Sequence, residues 1–249
     1  PTNISATLKK QEGRIVSVAA RADYLRIENL AAFSSLLPAG ALREKLVALA
    51  PRGEMFGLDA TIANLGAGRL PDISGRVRFA DIGFEPFGKA PGLQGLDGAI
   101  EGRGAGGIVH LATRDGLVSW PLQWRALAEL PSIDGQIEWN RFGEGVRLWV
   151  DEAVIDTGHG IARGKLRMAF QPGRLPLMDL NASIEDFDAT QVWRYLPIER
   201  LKPKSLGWLD AAFRAGHVVE GTVSQTGPTR GFPYRDGQGR FHAEARVKG

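Results

Sequence analysis

The chain has 249 residues, 43% hydrophobic and 24% charged, with a net charge of +3, a composition that supports a packed fold and speaks against intrinsic disorder. It contains no cysteine, which excludes a disulfide framework and a thiolate metal site. No run approaches the roughly 18 to 20 apolar residues of a spanning helix, and the arginines are scattered along strand patterns rather than gathered with aromatics, which speaks against a nucleic-acid partner.

The first residue is Pro1, and no charged and apolar leader pattern follows it. The expectation is a segment of a larger protein. The 32 glycines and 14 prolines suit many short strands joined by turns, so the predicted fold is mainly β. A first break in that rhythm covers about residues 29–51, where Leu42, Leu46 and Leu49 stand at helical spacing before Pro51 and Gly53. Alternation of apolar and polar residues then marks strands at Phe56, Leu58, Ala60 and Ile62, and at Val77 and Phe79. The stretch GRGAGG from Gly102 to Gly107 matches the glycine spacing of a dinucleotide loop, but the strand-like IVHLAT follows it instead of a helix, so it reads as a hairpin turn.

Further strands are predicted at Ile137 and Trp139, at Val146, Leu148 and Val150, at Leu166, Met168 and Phe170, and at Met178, Leu180, Ala182 and Ile184. GEG at 143–145, DTGHG at 156–160 and QPGRLP at 171–176 separate them as hairpin connections. A second break covers about residues 188–215. Asp188 and Gln191 have the spacing of a capping box, Pro203 can open a further helix, Leu206, Leu209 and Phe213 fall on one face of it, and Gly216 can close it. Strands return at Val219, Gly221 and Val223, then, after RDGQGR, at Phe241, Ala243, Ala245 and Val247. The two breaks share an order of short helix, Leu-Pro (Leu37-Pro38, Leu196-Pro197), amphipathic helix and glycine. This predicts an internal repeat about 160 residues apart, with a second copy beginning near residue 188.

Sites of reaction chemistry are hard to find. His110, His159, His217 and His242 share no ligand spacing, so no metal is expected. The carboxylates Asp151-Glu152 and Glu185, Asp186 and Asp188 do not by themselves define the facing pair that a glycosidase needs. No nucleophile elbow is present. Trp120, Trp124, Trp139, Trp149, Trp193 and Trp208 suit core packing, lipid contact or sugar stacking alike.

The segment YLPIERLKPKSLGWLDAAFRAGHVVEGTVSQTGPTRGFPYRDGQGRFHAEARVKG, with LLPAGALREKLVALAPRGEM, APGLQGLDGAIEG and IDGQIEW upstream, resembles the YhdP-type AsmA-like proteins of Gram-negative envelopes, bacterial members of the bridge-like lipid transfer proteins. The resemblance implies a curled antiparallel sheet forming one continuous β-groove over residues 1–249, with the two helical insertions. It implies a periplasmic segment of an inner-membrane-anchored protein, the anchor lying outside this chain, that carries phospholipid acyl chains toward the outer membrane. Neither a catalytic residue nor a cofactor belongs to that reading, and the oligomeric state stays open.

The groove candidates on this reading are Phe79, Ile137, Trp139, Leu148, Val150, Leu166, Met168, Leu180 and Ile184, with Leu206, Leu209 and Phe213 as a helix on the groove rim. The same residues serve equally in a closed, dry core. An envelope scaffold or interaction module without lipid therefore stands beside the conduit, and a carbohydrate-active β protein behind both.

Overall fold

The computed structural model describes residues 3–32, 44, 47–65, 71–88, 90–121, 123–196, 201–231 and 234–248. Twelve strands form one sheet in which each pairs with its neighbours in sequence, all antiparallel. They are β1 (Ile4–Gln11), β2 (Arg14–Arg26), β3 (Arg52–Ala63), β4 (Asp72–Phe84), β5 (Gly92–Gly104) and β6 (Gly106–Ser119). The order continues with β7 (Ala128–Phe142), β8 (Gly145–Asp156), β9 (Ile161–Phe170), β10 (Leu177–Asp188), β11 (His217–Pro228) and β12 (Arg240–Lys248). Sequence alternation found most of these, but it passed over β1, β2 and the glycine-rich β5. The sheet is open, with β1 and β12 as its two edges.

Connections alternate between the two ends of the strands. Tight turns stand at one end, including the one at Ala105 inside GRGAGG, where β5 stops at Gly104 with φ 72° and β6 starts at Gly106. Both helical insertions stand at the other. The first holds α1 (Ile27–Ala32) between β2 and β3, beginning two residues before the predicted Asn29. Leu42 and Leu46, like Pro38 and Pro197 of the predicted repeat, lie outside the described residues. The second insertion holds a 3₁₀ helix (Ala189–Tyr195) and α2 (Pro203–Ala212). Asp188 caps the 3₁₀ helix, accepting from the Thr190 backbone N–H at 2.9 Å and from its hydroxyl at 2.7 Å. The reciprocal half of the predicted capping box does not form: the Asp188 backbone N–H donates to the His159 carbonyl at 2.8 Å, while the Gln191 side chain donates to the Thr190 hydroxyl at 3.2 Å and accepts from Arg194 at 2.8 Å. The Thr190 bonds hold the Asp188 carboxyl below its ordinary pKa.

A line of irregularities crosses the sheet toward the helix-bearing end. Registers break between Phe56 and Asp59, Phe79 and Ile82, Gln94 and Gly98, and Val150 and Ala153. Gly57, Asp81, Gly95, Asp115 and Asp186 take positive φ along that line. Bulges bend a strand and increase its twist, so aligned bulges make a crease. Backbone groups freed there find side chains: Asp97 accepts from the Asp81 N–H at 2.9 Å, and the Thr113 hydroxyl from the Asp97 N–H at 3.0 Å. Thr113 is accordingly fully buried.

The surface area is that of a single layer. The chain exposes 15612 Å², against about 10,800 Å² for a compact monomer of its 26.9 kDa. Among the described residues only ten hydrophobic side chains are buried, too few for a core closed between two layers.

Candidate functional site

Facing residues on paired strands point to the same side of a sheet, so the register traces which apolar side chains share a face. One row runs Trp139, Leu148, Met168, Met178. Beside it Val150, Leu166 and Leu180 face one another, with Ile137 two residues from Trp139 on the same strand face. A further row runs Ile133, Ile155, Ala162, Ile184. Phe79 joins through Gly98, Leu111 and Gly135. All nine predicted groove residues therefore stand on one face.

Between the rows of large side chains lies a row of small ones. Gly135, Ala153, Gly164 and Ala182 face one another in turn from β7 to β10, walled by Val150, Leu166 and Leu180 on one side and Ile155 and Ile184 on the other. Four strands at about 4.8 Å spacing make this furrow about 14 Å long, perpendicular to the strands. Beyond its β7 end the Phe79 ring covers Gly98 on β5, where an added Cβ would come within 2.8 Å of the ring, and Trp139 likewise covers Gly107 on β6.

The face is partly solvated. Of the nine candidates only Val150 is buried, and the other eight are half-buried. Ile73, Phe170 and Phe241 share this face and are 36%, 38% and 41% exposed. Sequence reading left these out of the candidate set, together with Met178, Val109 and Ile100; their alternation held the signal. On β11 the polar Gln225 interrupts the face, and it donates to the hydroxyl of the buried Tyr234 at 2.6 Å.

Aromatic packing covers the helix-bearing end. Trp120, Trp124, Tyr195 and Phe187 contact in series at ring separations of 5.5, 5.6 and 5.9 Å. Tyr195 packs against both buried clusters, the one around Val118, Ala128, Leu130 and Ile133 and the one around Phe187, Ala189 and Val218. Burial pushes its phenol pKa up. Leu206, Leu209 and Phe213 are the half-buried side chains of α2 and its C-cap, while Trp208 is 68% exposed. Phe213 meets the Phe187 cluster, and Asp210 of α2 pairs with Arg125 of the β6–β7 loop at 2.7 Å. The helix stands at the strand ends, whereas β11 itself is paired on both sides.

The opposite face is polar and carries ion pairs such as Arg21–Asp59, Arg114–Asp134 and Arg246–Glu220. The carboxylates weighed as catalytic lie here or in the crease: Asp151 is 4.0 Å from Arg167, Glu185 3.9 Å from Arg163, and Asp186 2.6 Å from His217. Among the described residues no group of His, Asp and Glu is placed to hold a metal ion, and no helix is long and apolar enough to cross a membrane.

A family model described as YhdP protein matches residues 1–249. The chain is 22% identical over 166 residues to the intermembrane phospholipid transporter YhdP of Escherichia coli (strain K12). That alignment takes in 67% of this chain but 13% of the relative, so the chain spans a small part of that protein's length. No solved structure matches significantly.

Proposed function

The chain belongs to the YhdP family, and on that premise we propose that it is one segment of a conduit that moves phospholipid between the inner and outer membranes, with acyl chains lying against the apolar face. The observation that carries this reading is the partly exposed state of that face: nine candidate side chains on one side of an open sheet, with no second layer over them among the described residues. Each acyl methylene buried there contributes about 0.8 kcal/mol. The furrow of Gly135, Ala153, Gly164 and Ala182 runs across the strands, in the direction a chain follows when it passes from one strand to the next. Transfer along it needs no bond made or broken, only similar affinity at successive positions. In this reading the segment works in the periplasm as part of a protein anchored in the inner membrane, and it carries no enzymatic step. The lipid-free scaffold reading relied on a closed core, and the openness of the sheet favours the conduit over it.

The test is organic extraction and mass spectrometry of the purified chain, beside a Gly164→Leu variant. At Gly164 an added Cβ meets nothing closer than 3.7 Å, so a side chain can branch into the furrow from there without crowding at its Cβ. Co-purifying phospholipid in the parent and a several-fold smaller amount in the variant, at unchanged circular dichroism, is the expected result. Absence of phospholipid from mildly prepared parent protein returns the scaffold reading.

A further inference from the structure

The polar face departs from its own pattern at one corner, where β7 to β10 approach their tight turns. Two adjoining hollows of about 700 and 400 Å³ share Arg147, Ala169 and Leu177 as lining residues. Ala169 lies between Arg147 and Leu177 in the register, and its small side chain leaves the depression. Trp149 flanks it on one side. Leu175 and Leu177 are 46% and 55% exposed, large apolar groups on a face otherwise given to charge.

Two cations border the hollows without an acidic partner: among the described residues neither Arg147 nor Arg174 has a carboxylate within ion-pairing distance. Arg147 instead lays its guanidinium over the Phe142 ring at 4.3 Å, which leaves its edge donors turned outward. Arg174 stands on the β9–β10 turn at the second hollow.

We propose that this corner is a docking site for an acidic protein segment carrying a bulky apolar side chain, which enters the hollow between Trp149 and Leu177 while its carboxylates meet Arg147 and Arg174. The shape favours a peptide over a bilayer: the hollow over Ala169 receives a protruding side chain, whereas a flat bilayer would meet only the Leu175 and Leu177 rim and leave the hollow unfilled. The charges agree. Of the other charges lining the larger hollow, Asp151 stands 4.0 Å from Arg167 and Asp179 accepts from Asn181 at 3.0 Å, which leaves Arg147 and Arg174 as the charges open to a peptide's discrete carboxylates.

The experiment uses the whole chain and a fluorescein-labelled, end-blocked hexapeptide of alternating glutamate and leucine, read by anisotropy at low salt. Saturable binding is expected, weakened about tenfold in Arg147→Gln/Arg174→Gln as two exposed charge contacts are lost. Leu177→Ser weakens it independently, Arg246→Gln elsewhere on the face leaves it unchanged, and circular dichroism confirms each fold. The proposal is overturned by the absence of saturation, by equal binding of a lysine-for-glutamate peptide, or by variants that bind like the parent. Sedimentation with phosphatidylglycerol vesicles that these variants abolish, without peptide binding, also overturns it, in favour of a membrane contact. Failure here leaves the acyl-chain reading of the opposite face intact.

Discussion

Asp81, Asp115 and Asp186 hold φ values of 51°, 58° and 53° in the interior of strands. The left-handed region costs an L-residue roughly 1–2 kcal/mol, but aspartate tolerates it because its short side chain bonds locally. These three carry the crease at positions where glycine carries it in β3 and β5. Asp115 is exposed, so substitution there reports the backbone and little else. Asp115→Val is expected to destabilise the chain by about 1–2 kcal/mol and Asp115→Gly to stay near the parent, as measured by urea unfolding. Equal midpoints for the two variants would show that conformation at residue 115 is not what the sheet requires.

At the scale of elements, the second insertion holds to the sheet through few side chains. Its 3₁₀ helix contributes Tyr195 to both buried clusters, and α2 has no fully buried residue. Among the described residues, the C-cap Phe213 and the Arg125–Asp210 pair tie α2 down, beside the half-buried Leu206 and Leu209. An exposed ion pair of this kind contributes little, about 0–1 kcal/mol, so packing of Phe213 dominates. Phe213→Ala is expected to cost about 2 kcal/mol locally, half the value for a fully buried ring. Hydrogen exchange should then quicken across residues 203–212 while β6 and β7 keep the parent rates. An α2 that exchanges as before would mean that Leu206 and Leu209 suffice to hold it.

For the whole molecule, pairing only between sequence neighbours makes stability close to a sum over adjacent strands, as in repeat proteins. The two edges have one neighbour each, and every residue of β1 and β12 is exposed. The larger buried cluster, by contrast, sits on β6 and β7. Amide protection is therefore expected to be greatest in β6 and β7 and to decline toward both edges; uniform protection across the twelve strands would point to a cooperative core that this sheet lacks. An open sheet also leaves two hydrogen-bonding edges and one greasy face.

What the sequence determined by itself was the local chemistry of strands: period-two alternation fixed that Leu166, Met168, Leu180 and Ile184 leave their strands on one side, and glycine-rich turns fixed the antiparallel meander. Alternation was silent on β5, where glycines replace the apolar partners, and on the Thr190 contact to Asp188, which depends on a side-chain direction. Only the tertiary structure decided that the sheet stays open, that Gly135, Ala153, Gly164 and Ala182 align into a furrow, and that Arg147 and Arg174 flank a hollow on the other face. The reason is register: a residue's own strand sets which way it points, but its neighbours across the sheet are set by bulges and turn lengths summed over several strands, and no single stretch of sequence contains that sum.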